Sequence, residues 1–351
     1  MVSRAALLLP LIALVAACRS GPPTAPGASP GAQLVFVSNE DSNDVTVIDS
    51  ATDEVVRTIF VGKRPRGLRV SRDGATLFVA VSGSARAPPG VDESKLPPPD
   101  RDADGIAAVD VRTGKLLRTY ESGQDPESFD LSADGRWLYA SNEDASMTTV
   151  LDLSSGKIEA TIPVGEEPEG VTLHPDGRSV WVTSEGDNAV YVIDVAARKV
   201  TSRLETNRRP RSVAFTPDGH RAVITTENGG AVTLVDADRP AVLSELPIDA
   251  PGAKPMGVVV SPDGSRAYVT CGRGGVVAEI DIAGAKVSRI IEKVGERPWG
   301  VALTADGKKL YTANGPGNDV SVIDRASGQV VRRIPAGRLP WGVAISRSPT
   351  P

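Results

Sequence analysis

From Leu34 onward the chain is built of short apolar, β-branched runs cut by Gly, Pro, Asp and Ser. This pattern predicts strands and tight turns, and no segment carries a convincing helical period. Seven of the runs end in aspartate, at Asp49, Asp110, Asp152, Asp194, Asp236, Asp281 and Asp324, spaced 61, 42, 42, 42, 45 and 43 residues apart. Seven prolines keep step with them: Pro65, Pro126, Pro168, Pro210, Pro255, Pro298 and Pro340. A third marker, Asp-Gly, recurs six times, from Asp73-Gly74 to Asp306-Gly307. Three series in one register define a repeat of roughly 42 residues.

Each unit offers four strands, A to D. In the third they are expected at about 128–132, 137–141, 147–152 and 158–164, with Ser132-Ala133-Asp134-Gly135 turning A into B. The form Ser261-Pro262-Asp263-Gly264 has Pro and Gly where a tight turn favours them. Four-stranded units of this length match propeller blades. The chain begins at a B strand (Leu34–Ser38) and ends after an A strand (Gly342–Ser346). The last strand can therefore complete the first blade and close a ring. The expected fold is all-β, a seven-bladed propeller over 34–347, with strands A near 67, 128, 170, 212, 257, 300 and 342. An insertion at about 82–104, rich in Pro and charge, accounts for the 61-residue spacing.

Residues 1–17 read as a secretory signal: Arg4, the apolar run Ala5–Ala17, small residues at the cut. Val15-Ala16-Ala17-Cys18 resembles a bacterial lipobox, which implies lipidation of Cys18 and a membrane anchor. Residues 18–33 then form a Pro/Gly/Ser tether with an end-to-end distance of roughly 20 Å. The expected location is the envelope, on the periplasmic side or in the outer membrane. The formal net charge of −5 argues against a nucleic-acid partner. Of the two cysteines, Cys18 lies at the cut and Cys271 replaces a repeat asparagine, so no disulfide framework exists and Cys271 reads as a small core residue.

Leu310-Tyr311-Thr312-Ala313-Asn314 with Asp319–Asp324, and Leu34–Asn39 with Asp44–Asp49, resemble the YVTN-type propeller repeat. Arg64-Pro65-Arg66-Gly67, Glu167-Pro168-Glu169-Gly170 and Leu339-Pro340-Trp341-Gly342 resemble loops of the propeller group associated with PQQ-dependent catabolism. More distantly the chain is similar to quinoprotein amine dehydrogenase heavy chains and propeller lactonases. The resemblance implies a periplasmic protein partner, a quinoprotein dehydrogenase or a cytochrome c.

Blade topology puts the D-to-A and B-to-C loops on one face. The residue after each proline, which rims the central funnel, is Arg66, Glu127, Glu169, Arg211, Met256, Trp299 and Trp341 in turn. B-to-C loops add Glu40, Glu143, Glu185 and Glu227, with Asn39, Asn142 and Asn314 beside them. The expected mouth thus holds two arginines, up to six glutamates and two tryptophans. Its functional reading is a polar binding site with an aromatic wall; its structural reading is Arg–Glu pairing that fixes neighbouring blades. The insertion emerges on the same face, as a lid or docking loop or as a tolerated insert.

The only histidines, His174 and His220, flank Asp-Gly turns on the opposite face. A His-based metal cluster or a Ser-His-Asp triad at the mouth is therefore not expected, and no cofactor motif is present. The leading expectation is a monomeric, non-catalytic binding or scaffold lipoprotein. The alternative is a lactonase-like hydrolase using the Arg/Glu ring.

Overall fold

The computed structural model describes residue 29 and residues 31–86 and 95–346. The expected signal, the Cys18 expected to carry lipid and most of the expected tether lie outside the described residues. Within them, seven four-stranded antiparallel sheets form a ring. Blade 1 joins Leu34–Asn39, Asp44–Asp49 and Glu54–Phe60 to the last strand, Pro340–Ile345. Blades 2 to 7 follow in chain order, with innermost strands Leu68–Val70, Pro126–Leu131, Pro168–Leu173, Pro210–Phe215, Pro255–Val260 and Pro298–Leu303. Among the described residues no α-helix occurs, and short 3-10 turns stand at Arg101–Ala103 and Glu143–Ala145.

Closure follows the expected route. Val35, Phe36 and Val37 face Ile345, Ala344 and Val343 across an antiparallel ladder. Ser346 N donates to Leu34 O at 2.8 Å, and Leu34 N to Ser346 Oγ at 2.8 Å. An open ring would leave two unpaired sheet edges. The core is distributed between blades. Apolar clusters each draw on two neighbours, and one joins Tyr311, Val320 and Val322 of blade 7 to Val35 and Val37 of blade 1. Burial thus makes each blade depend on the next, including across the closure.

The repeat's markers are turn chemistry. The aspartate ending each C strand accepts backbone N–H groups of the following turn, as Asp152 does from Ser154 at 2.8 Å and Asp194 from Ala197 at 2.7 Å. In the Asp-Gly turns the aspartate likewise caps the turn, Asp134 from Arg136 N at 3.0 Å, while Gly135 takes φ = 72°, a region costly for residues with a Cβ. Cys271 is fully buried in the blade 5–6 cluster, and burial pushes its thiol up to about 12.

Candidate functional site

Three local devices aim side chains at the mouth. The first is a bulge after the proline in the blades other than blade 2. Pro168 faces Ser184 but Val171 faces Val182, so the inner strand carries one extra residue at Glu169-Gly170. Blades 3, 5, 6 and 7 show the same slip. Such a bulge re-aims the side chain it contains. The second is an inter-blade staple. A hydroxyl near the end of a B strand donates to the carbonyl of the next blade's rim residue: Ser38 to Arg66 at 2.6 Å, Ser141 to Glu169 at 2.7 Å, Thr183 to Arg211 at 3.1 Å and Thr225 to Met256 at 2.6 Å; Thr270 bonds Trp299 in the same way.

The third places the B-to-C loops. The first loop residue donates its N–H to the carbonyl of the residue before the proline: Glu40 to Leu339 at 2.9 Å, Glu143 to Asp125 at 3.1 Å, Glu185 to Glu167 at 3.0 Å and Glu227 to Arg209 at 2.8 Å. Several of these pre-proline residues hold positive φ, among them Arg64, Asp125, Glu167, Arg209, Arg297 and Leu339.

These devices bring the expected acids and arginines together as two knots. In the first, Arg66 is 2% exposed and pairs with Asp125, Glu127 and, at 3.3 Å, Glu143; it also donates to Pro126 O at 3.0 Å. Arg64 extends the knot to Glu40 at 2.9 Å. In the second, Arg211 pairs with Glu185, with Glu169 at 2.6 Å and with Glu227 at 3.8 Å, while Arg209 reaches Glu185 at 2.6 Å and Glu227 at 3.2 Å. Of the two central guanidiniums only the Nε atoms lack an acceptor.

Burial alone would push both guanidiniums down, but the carboxylates around each carry them well above the ordinary range. The acids divide. Burial raises Glu169 well above the usual carboxylate range despite Arg211, with the neighbouring Glu185 adding to the rise. Glu185 itself overcomes burial through Arg211, the Glu169 hydrogen bond and Arg209, and stays low. Glu143 is pushed up to about 8 by burial and by Glu127. Glu127 is also raised by burial, so in each knot the crowding of carboxyls around one cation lifts at least one of them above its ordinary range.

The rest of the ring is of another kind. Trp299, Trp341 and Met256 line, with Arg211 and Glu169, a central cavity of about 130 Å³. Asn314 does not join the mouth. It is fully buried, and its amide donates to Asp319 at 2.5 Å and Ser321 at 2.8 Å while accepting from Thr312 at 3.1 Å. Asn39 and Asn142 are likewise occupied inside their own hairpins, bonding Thr46 at 2.9 Å and Thr149 at 2.8 Å. These asparagines lock B to C.

Reading only the residue after each proline missed the residue before it, which supplies Arg64, Asp125, Arg209 and Arg297. The prolines themselves marked the position. The described ends of the insertion lie on this face: Arg101 pairs with Asp144 at 2.6 Å, Arg86 with Asp41 at 3.2 Å, and Lys63 with Asp100 at 2.6 Å. On the other face His174 bonds Gly219 O at 2.9 Å and His220 meets Asp238 at 2.9 Å.

No family model matches the chain. Antigen Lp49 of Leptospira interrogans is 30% identical over 139 residues, which is 31% of this chain and 30% of that protein, so the chain spans less than a third of that relative. Among solved structures, a chain of Kuenenia stuttgartiensis hydrazine synthase superposes with a TM-score of 0.72 at 22% identity, over 85% of this chain and 94% of that one. A protein from Bacteroides fragilis provisionally described as a 6-phosphogluconolactonase gives 0.73 at 18% identity, over 92% and 100%. A Desulfotomaculum acetoxidans protein of unknown function gives 0.73 at 16%, over 90% and 99%. At these identities the likeness extends to the fold, a seven-bladed propeller, which hosts many unrelated functions.

Proposed function

We propose that this chain is a non-catalytic binding propeller of the cell envelope, exported, lipidated on Cys18, and presenting the mouth bounded by Arg66, Glu127, Glu143, Glu169, Glu185, Arg211, Glu227, Trp299 and Trp341 to its ligand or partner. One observation carries binding over catalysis. The acids and the two central arginines are tied to one another as ion-paired knots, which preorganises a surface and leaves no nucleophile–base pair poised for attack among the described residues of the mouth. The lipobox-like Val15–Cys18 supports the anchor. The YVTN-like and PQQ-group-like segments support work beside a periplasmic quinoprotein dehydrogenase or its cytochrome c.

Two measurements test this reading. Cells expressing the chain should incorporate labelled fatty acid into it and retain it in the membrane fraction, and Cys18→Ser should abolish both. Purified protein should show no turnover across a panel of lactones, while envelope extracts should yield a partner whose capture is lost on Trp299→Ala with Trp341→Ala. Lactone turnover, or retention of the Cys18→Ser chain in the membrane, would refute the corresponding part.

A lactone hydrolase is the second reading, and Glu143 favours it. Burial and Glu127 push that carboxyl up to about 8, close enough to neutral for both of its forms to be used, and it is 36% exposed. Ionised, such a group can take a proton from water attacking the lactone carbonyl, then return it to the ring oxygen as the acyl–oxygen bond breaks. The Bacteroides protein provisionally described as a lactonase shares the fold. Turnover abolished by Glu143→Gln would establish this reading in place of the first.

A further inference from the structure

The mouth is electrostatically lopsided. On blades 1, 3, 4 and 5 the B-to-C loop opens with a glutamate, Glu40, Glu143, Glu185 or Glu227, each reaching an arginine. On blades 6 and 7 the same backbone position, bonded to the same pre-proline carbonyl, is Gly272 and Gly315. Arg297, the pre-proline residue of blade 7, consequently finds no carboxylate at ion-pair distance among the described residues. Its guanidinium stacks on Trp299, 4.8 Å from the ring centroid. Burial pulls Arg297 down against the opposing charge of Glu227, and the like charges of Arg273, Arg211 and Arg86 add to the fall. The Trp299 indole N–H is enclosed without an acceptor. This wall thus carries a cation without a carboxylate partner and an indole N–H without an acceptor, and Trp299 itself lines the cavity together with Trp341 and Met256.

We propose that this arc, on blades 6 and 7, is a subsite for a small organic carboxylate, its charge held by Arg297 and its body against Trp299, Trp341 and Met256. The inference rests on the binding reading above and names the ligand class. A guanidinium matches a carboxylate's two oxygens, and its stacking on an indole restricts it beforehand. A single negative charge suits the arc better than a phosphate dianion, because Glu227 is near enough to repel the second charge. The apolar wall calls for carbon, not a bare ion.

Titration calorimetry on the detergent-purified full chain tests this, with benzoate and hexanoate as probes and benzamide and inorganic phosphate as controls. The carboxylates should bind at millimolar concentration or tighter, and benzamide about tenfold more weakly or not at all. Arg297→Gln should weaken benzoate about tenfold, and Arg297→Lys less. Gly272→Glu should abolish binding by supplying the missing partner. A Cβ there would meet Met256 Cγ and Arg297 Cγ at 3.4 and 3.5 Å, ordinary contacts, so the backbone can accept it.

Carboxylate binding undiminished in Arg297→Gln, equal binding of benzamide, or binding of phosphate alone would overturn the subsite. Thermal unfolding identifies a variant that fails to fold, and Arg297→Lys then decides. An envelope partner captured by a chain that binds no carboxylate would sink the subsite and leave the binding propeller standing. Lactone turnover with KM raised by Arg297→Gln and kcat lost in Glu143→Gln would do the reverse.

Discussion

Replacing Arg66 by methionine removes the cation from two buried acids and a third, partly exposed one while roughly keeping its volume. Asp125, Glu127 and Glu143 all lie within ion-pair reach of that one guanidinium. Breaking a buried pair from one side costs about 3–5 kcal/mol, because the orphaned charge stays desolvated. Three acids place the loss at the upper end of that range. Protonation limits it, since each acid can neutralise at about 1.4 kcal/mol per pH unit between its pKa and the medium. About 4 kcal/mol at pH 8 is expected, a large part of the 5–15 kcal/mol typical of a folded domain.

The pH dependence has a definite sign. Glu127 and Glu143 already titrate above their unfolded value in the native chain, and Asp125 is held below its own by Arg66 and Arg64 against burial. Without Arg66 all three move up. An acid raised on folding contributes stability that is present below its unfolded pKa and lost as pH rises through the folded one. The deficit of Arg66→Met should therefore shrink to about 2 kcal/mol at pH 5. Urea unfolding followed by tryptophan fluorescence at both pH values reads it, and adding Glu127→Gln should restore about 1.5 kcal/mol at pH 8. A loss below about 1 kcal/mol at pH 8, or one independent of pH, would refute the knot as the element that fixes this arc.

Three further outcomes follow from the same geometry. Native stability should fall as pH rises from about 5 to about 8.5 through the Glu143 carboxyl, and Glu143→Gln should flatten that fall by on the order of 1–2 kcal/mol, a figure reduced for solvent screening; urea midpoints at the two pH values compare them. Thr225→Val removes the staple to Met256 O and leaves a buried carbonyl without its donor, so a loss of about 1–3 kcal/mol in chemical denaturation is expected, against little change for an exposed Thr→Val. Ending the chain after Leu339 deletes the Pro340–Ile345 strand and exposes the edge of Leu34–Asn39; size-exclusion chromatography should show aggregation or loss of the folded species, and a monomer of unchanged stability would mean that closure contributes nothing.

The architecture was legible because the residues that carry it repeat. Asp152 and its six counterparts sit where turns need an acceptor, and Asp134-Gly135 where one needs positive φ, so periodicity alone located strands and closure. The mouth was half legible. Glu127, Glu169 and Arg211 fell where the prolines predicted, because a bulge turns the following side chain inward, and Arg66 fell at the matching position with its N–H on Ala80 O. Asn314 did not, since whether an amide faces its own hairpin or the pore depends on the Ser321 hydroxyl across from it, a pairing that spacing does not reveal. Arg297 was overlooked for a related reason. Its significance lies in what Gly272 and Gly315 withhold, and an absent partner leaves no mark at Arg297 itself.

The backbone devices that set the rim are nearly invariant around the ring, whereas the side chains they aim are not. Staple, bulge and loop anchor recur in blades bearing Glu169, Met256 or Trp299 alike. Structural need at this rim is met by main chain and hydroxyls, so it does not require charge at all. A ring built only for stability could place apolar residues throughout, since buried ion pairs seldom outperform them. On the binding reading proposed above, the charged arc on blades 2 to 5 is the presented surface, and the glycines on blades 6 and 7 are where it is left open.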